Sequence, residues 1–129
     1  MAEISLFNPP ALGAPLGPYS HIARVKAAGE FVFIAGQVGG GATDFDGQCN
    51  EAFANVAKAL EAVGASWGNV VQFTTYLVHS QDIERFMEWR RREFPRLFPS
   101  GAYPPNTLLI VDRLVQERLL IEVQAVAAL

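Results

Sequence analysis

A chain of 129 residues, half of them hydrophobic and 18% charged, is long enough to bury one core and too apolar to stay disordered. Its formal net charge of −3 gives the molecule no general attraction for polyanions, which argues against nucleic acid as the partner. The lone cysteine, Cys49, excludes an internal disulfide framework and suits a reducing compartment, and no apolar stretch reaches the ~20 residues of a membrane helix. The start, Met1-Ala2-Glu3-Ile4-Ser5, lacks a basic segment followed by an apolar one. The expectation is one domain over residues 1–129, in the cytoplasm and away from membranes.

Prolines cluster at Pro9, Pro10, Pro15 and Pro18 and again at Pro95, Pro99, Pro104 and Pro105, marking two irregular loops. Residues 20–27 are expected to form a strand, turned by Ala28-Gly29 into Glu30-Phe31-Val32-Phe33-Ile34-Ala35. That second strand is apolar on both faces, so both are expected to be covered. Cys49, Ala52, Phe53, Val56, Leu60 and Val63 recur at helical spacing and predict an amphipathic helix, with Asp46 as its cap and Gly64 at its end.

Residues 69–78, rich in Val, Phe, Thr and Tyr, predict a strand. A second helix is expected to start at Ser80, with Asp82 and Glu84 favouring its positive end, and to stop at Pro95. The run Arg90-Arg91-Arg92 reads as a helix face laced with pairs such as Glu88–Arg92. Strands at 106–112 and 119–127 are expected to close the chain as an antiparallel pair. The order β-β-α-β-α-β-β, with two helices on one face of a mixed sheet, is an α+β sandwich. The sheet's other face carries Thr, Gln, Glu and apolar residues together, so it is expected to be more than a solvated surface.

Several segments carry chemistry or a fold signature. They are Gly17-Pro18-Tyr19-Ser20, Phe33-Ile34-Ala35-Gly36-Gln37-Val38, the helix Asn55-Val56-Ala57-Lys58-Ala59-Leu60-Glu61-Ala62-Val63-Gly64-Ala65, and the C-terminal runs Tyr103-Pro104-Pro105-Asn106-Thr107-Leu108 and Leu120-Ile121-Glu122-Val123-Gln124-Ala125. Together, and in this order, they resemble the Rid (RidA/YjgF/UK114) family of imine and enamine deaminases. The resemblance implies a chorismate-mutase-like fold, a homotrimer with small-molecule clefts between subunits, and no cofactor.

The resemblance also implies a site. Glu122 matches a glutamate that orients the attacking water; Tyr19, Gly36, Thr107 and Leu108 fall at the ligand cleft. Read from residues alone, Glu122 is a strand glutamate that needs a hydrogen-bonding partner, and burial is expected to raise its pKa and suit it to act as a base. Asn106 stands where the family's deaminases have an arginine that grips a carboxylate, and an amide brings no charge. Leu108 stands where Cys or Thr is frequent, making the patch drier. Strand alternation, with a turn at 113–117, is expected to set Leu108 opposite Glu122 and Asn106 opposite Gln124 on one patch.

Arg90 sits on the apolar stripe Ile83, Phe86, Met87, Arg90 and Phe94. The simpler expectation is a side chain that snorkels out or pairs with a glutamate; the sharper one is a cation that replaces the missing arginine. His21 and His79 lack metal-ligand spacing, Gly39-Gly40-Gly41 lacks a following Lys-Ser/Thr, and Cys49 lies on the buried helix stripe. The function expected is hydrolysis of a neutral imine or enamine. The alternatives are a non-catalytic binding or sensing protein of the same fold and, below it, an RNA-directed endoribonuclease-like activity.

Overall fold

The computed structural model describes residues 2–129. Its centre is the strand β4 (Val70–Leu77), whose Val, Phe, Thr and Tyr content suits a pleated, two-sided surface. The helix α2 (Asp82–Leu97) follows it and returns the chain so that β5 (Asn106–Ile110) lies parallel to β4. The last strand, β6 (Ile121–Ala128), takes the other edge of β4 and runs antiparallel to it. Beyond β6 lies β3 (Phe31–Val38), also antiparallel, giving the sheet order β3-β6-β4-β5. The helix α1 (Phe45–Ala62) packs with α2 on one face. The fold is α+β, a mixed sheet under one layer of two helices.

Parity decides the faces. Phe73, Thr75 and Leu77 of β4 and Ile121, Val123, Ala125 and Ala127 of β6 are buried beneath the helices. The ring of Phe53, on α1, lies 4.6 Å from Trp89, 5.7 Å from Phe73, 5.8 Å from Phe94, 6.1 Å from Trp67 and 6.3 Å from Phe86, centroid to centroid. Trp89 Nε1 donates to Asn50 Oδ1 at 2.9 Å, joining the helices. The buried amide of Gln48 reaches the carbonyls of Ala42 and Arg118 at 3.2 and 3.1 Å, and its oxygen accepts from the Leu120 amide at 2.7 Å. That side chain fastens the entry of α1 to the entry of β6.

Several local expectations give way. A strand β1 (Glu3–Phe7) pairs antiparallel with β2 (Ile22–Lys26) in a separate two-stranded ladder, so β2 does not pair with β3. Ala27 turns the chain at φ 54°, and the amides of Gly29 and Glu30 bond the Leu129 carbonyl instead. Asp44, not Asp46, caps α1, its carboxylate accepting from the Gly47 amide; Asp46 lies in the first turn, where it pairs with Arg92 at 3.1 Å. Gly64 ends the helix at φ 72°, where an L side chain is strained.

Ser80 gives α2 no side-chain cap; the turn is closed by backbone bonds from Asp82 to His79 and from Ile83 to Ser80. Nor does Pro95 stop α2, which runs on to Leu97, with Phe98 N bonding the Phe94 carbonyl at 2.7 Å. Phe94 and Phe98 are both buried, 5.2 Å apart between rings, so packing holds the turn that proline weakens. Glu88 pairs with Arg91 at 2.7 Å rather than with Arg92.

The expectation that both faces of β3 are covered fails within the chain. Val32 and Ile34 lie under the helices, while Phe31 and Phe33 on the other face are 54% and 77% exposed. One helical layer covers one face only. Replacing Phe53 with alanine is expected to lower stability by about 3–5 kcal/mol, because its aromatic neighbours come from α2, from β4 and from Trp67 just before it, and cannot all close the void. Urea unfolding checks this as a lower midpoint with an unchanged slope.

Candidate functional site

The largest correction concerns the C-terminal strands. β5 and β6 are not neighbours, because β4 lies between them. The β4–α2–β5 crossover makes β5 parallel to β4, and residues 111–120 carry the chain across to the opposite edge of β4. Asn106 is therefore level with Phe73, and Leu108 with Thr75, on the helix-covered face. Glu122 is level with Tyr76, and Gln124 with Thr74, on the open face. The expected patch of Asn106, Leu108, Glu122 and Gln124 does not form within one chain.

Each half has its own order. On the helix side, the fully buried Thr75 donates its hydroxyl to Asn106 Oδ1 at 2.8 Å, so the asparagine carbonyl is engaged by its own sheet. On the open side, Tyr76 donates its hydroxyl to Gln124 Oε1 at 3.2 Å, fixing the glutamine amide next to Glu122. A bulge breaks the β3–β6 register between Ile34 and Gln37, bringing Gly36 against Glu122. A Cβ on Gly36 would overlap the Glu122 carboxylate, so the glycine leaves the space that the carboxylate occupies.

Glu122, Gly36, Gln124 and Tyr76 line an open cleft of about 520 Å³, with Arg113 and Val115 at its rim. Tyr76 and Arg113 were missed in the sequence. The signal for Tyr76 is its alternation with Gln72 and Thr74, legible once β4 is known to be central. Arg113 sits in a loop with no periodicity, where it bonds Glu117 and the carbonyls of Leu114 and Val115. Thr107 is exposed on the open face, level with Thr74.

Tyr19 lies in the loop before β2, its hydroxyl accepting from the Leu16 amide at 3.1 Å and its ring edge-on to His21. Arg90 neither snorkels nor pairs with a glutamate. It is 3% exposed, lying over the rings of Phe86 and Phe94. Cys49 is fully buried, and burial above all, with Asp46 and Asp82 nearby, pushes its thiol far above the ordinary range.

Comparison with known proteins places this geometry. A family model described as Endoribonuclease L-PSP matches residues 10–129. The chain belongs to the Rid (YjgF/UK114) family. Among its Rid relatives is a RutC family protein from Pyrococcus horikoshii, 31% identical over 120 residues and 88% of each chain. Another, 24% identical over 128 residues that span 89% of this chain and 98% of the other, is a 2-iminobutanoate/2-iminopropanoate deaminase from Dermatophagoides farinae. A solved structure of a Rid protein of unknown function, YyfB from Yersinia pestis, superposes with a TM-score of 0.82 at 29% identity over 98% of both chains. Within the Rid match lie every strand and helix of the main sheet; β1 precedes it.

Gly36→Ala tests the contact at the centre of the open cleft. The variant is expected to fold, with the Glu122 carboxylate swung away from β3 or the bulge displaced. A crystal structure of the variant checks this, and an unmoved Glu122 contradicts it.

Proposed function

We propose that the chain is a small-molecule hydrolase of Rid type, acting on an imine or enamine that carries no carboxylate, with Glu122 as the base that orients water. The observation that carries this reading is the Glu122 carboxylate seated against Gly36 in the open-face cleft. None of the ion pairs among the described residues involves it, so its oxygens are left to polar groups and solvent. The Tyr76–Gln124 pair beside it offers an amide N–H to a neutral ligand.

In the reaction, a water oxygen bonds the C=N carbon as Glu122 takes one of its protons, and the π pair moves to nitrogen, which Glu122 then protonates. Glu122 next takes the proton of the new hydroxyl and passes it to the amine nitrogen as the C–N bond breaks, so ammonia leaves a carbonyl product and the carboxylate is restored. An imine carbon is already electrophilic, so the step calls for no cofactor.

Family membership supports a homotrimer with clefts between subunits. The exposed Phe31, Phe33, Leu109 and Val115 supply apolar surface for such a contact. In that assembly Tyr19, Asn106 and Leu108, which lie on the helix side of their own chain, serve a cleft only across a subunit boundary. The lone reduced cysteine fits a cytoplasmic setting.

A second reading, a binding or sensing protein without turnover, is favoured by Asn106, whose carbonyl is already engaged by Thr75. RNA cleavage, which the description of the family model brings to mind, fits poorly with a net charge of −3.

Glu122→Gln separates the first two. Hydrolysis of a neutral imine is expected to fall by about 10²–10⁴-fold, the usual contribution of a general base, while affinity for the carbonyl product changes little. Wild-type protein that binds the product yet never accelerates hydrolysis establishes the second reading instead. Deamination of 2-iminobutanoate is expected to run roughly ten- to a hundredfold below that of an arginine-bearing relative, since a charged hydrogen bond contributes about 1.5–3 kcal/mol. Equal turnover of the two proteins under matched conditions contradicts this.

A further inference from the structure

Between α1 and α2, next to the bond from Trp89 to Asn50, lies a half-open groove of about 450 Å³ that has no part in the open-face cleft. Small-molecule pockets run to about 300–1,000 Å³, so the groove is of that size. Helices in contact usually fill such a space with interdigitating side chains. Here α1 lines it with Ala54 and Ala57, and two methyl groups do not fill it.

The wall of the groove is aromatic. Phe53 and Trp89 are both buried, 4.6 Å apart between ring centroids, and Trp67 lies beside Phe53 at 6.1 Å. Two polar side chains line the same groove with hydrogen-bonding capacity left over. Asn50 accepts the Trp89 indole N–H at 2.9 Å through Oδ1, which fixes the amide and leaves Nδ2 without a partner among the described residues. Glu93, with a side chain 24% exposed, accepts from Arg96 Nη2 at 3.0 Å through Oε1. Its Oε2 lies 3.8 Å from Arg92 Nε, too far for a hydrogen bond. The groove therefore offers a donor from α1 and an acceptor from α2, and the two arginines offset the charge of the acceptor.

That arrangement selects among occupants. A hydrocarbon would dry both polar groups without pairing them. An anion would meet Glu93, and a cation would meet Arg92 and Arg96. A primary amide on a flat ring suits every part: its carbonyl accepts from Asn50, its N–H donates to Glu93, and its ring lies on the aromatic wall.

We propose that the groove between α1 and α2 is a binding site for a flat, uncharged aromatic carboxamide, gripped by Asn50 and Glu93. The site is separate from the open-face cleft and does not depend on what Glu122 does.

The test titrates the full, isotopically labelled chain with benzamide and reads two NMR signals, the Trp89 indole N–H and the Asn50 side-chain amide. The controls are acetophenone, which keeps the ring and carbonyl but has no N–H, and benzoate, which adds a negative charge. Benzamide is expected to move both signals saturably, with a Kd on the order of 1 mM, since so few atoms bind weakly. Acetophenone and benzoate are each expected to bind roughly ten times more weakly or worse, the weight of a hydrogen bond to a charged group.

Asn50→Asp keeps an acceptor for the Trp89 indole and removes the donor, and should weaken benzamide by a similar factor. Ala57→Leu puts a larger side chain in the groove and should abolish the response; leucine suits a helix, so the fold should stand. Glu122→Gln should bind benzamide as the wild type does. Unmoved signals, equal affinity for either control, or a response that survives Asn50→Asp or Ala57→Leu overturns the proposal. So does a response lost in Glu122→Gln, because the amide then sits in the open-face cleft. If Ala57→Leu fails to fold, Asn50→Asp, at an exposed position, decides.

Discussion

A sheet with apolar residues on both faces and helices on only one is the constraint from which the rest follows. From Phe73 to Leu77 and from Ile121 to Ala125, β4 and β6 alternate, with Phe73, Thr75 and Leu77 and their β6 counterparts under the helices, and Tyr76, Glu122 and Gln124 on the other side. The helix side is dry and aromatic and can exclude water without help. The open side holds the Glu122 carboxylate, set against the Gly36 backbone, among exposed Phe31, Phe33 and Leu109. Stability is thus concentrated on one face, and the polar groups suited to chemistry on the other, with a backbone one residue thick between them.

That separation explains which parts of the molecule the sequence discloses. The two helices are legible because burial on one side imposes a 3.6-residue period, seen in Cys49, Ala52, Phe53, Val56 and Leu60. The strands are legible as strands, but pairing is not a local property. Asn106 and Gln124 look like hairpin partners because they flank a polar turn, yet a parallel strand needs a helical crossover, and the β4–α2–β5 unit provides one. β1 is not legible because its five residues alternate too briefly to stand out and its partner β2 leads by a short turn into β3, which looks locally like a hairpin. Pro95 misled for a related reason: the rings of Phe94 and Phe98 override a local breaker.

The candidate site divides in the same way. Family resemblance led to Glu122 and Gly36, and the bulge in β3 gives their pairing a physical reason, since any side chain at Gly36 would claim the volume of the carboxylate. Asn106 was legible as a missing charge but not as a group on the far face bonded to Thr75. Arg90 was legible as a cation on an apolar stripe, whereas its burial depends on the loop around Gly17 folded over it, for which periodicity gives no sign.

The position of the two tryptophans has a spectroscopic consequence. Trp67 and Trp89 both pack against Phe53, and the Trp89 indole N–H is held by Asn50. Their emission therefore reports on the interior between the helices and the sheet, and on α2 next to Arg90. No indole stands on the open face, where Tyr76 is the nearest chromophore to Glu122. Light absorbed at the indole band will thus see the core unfold and go dark to whatever docks against the carboxylate.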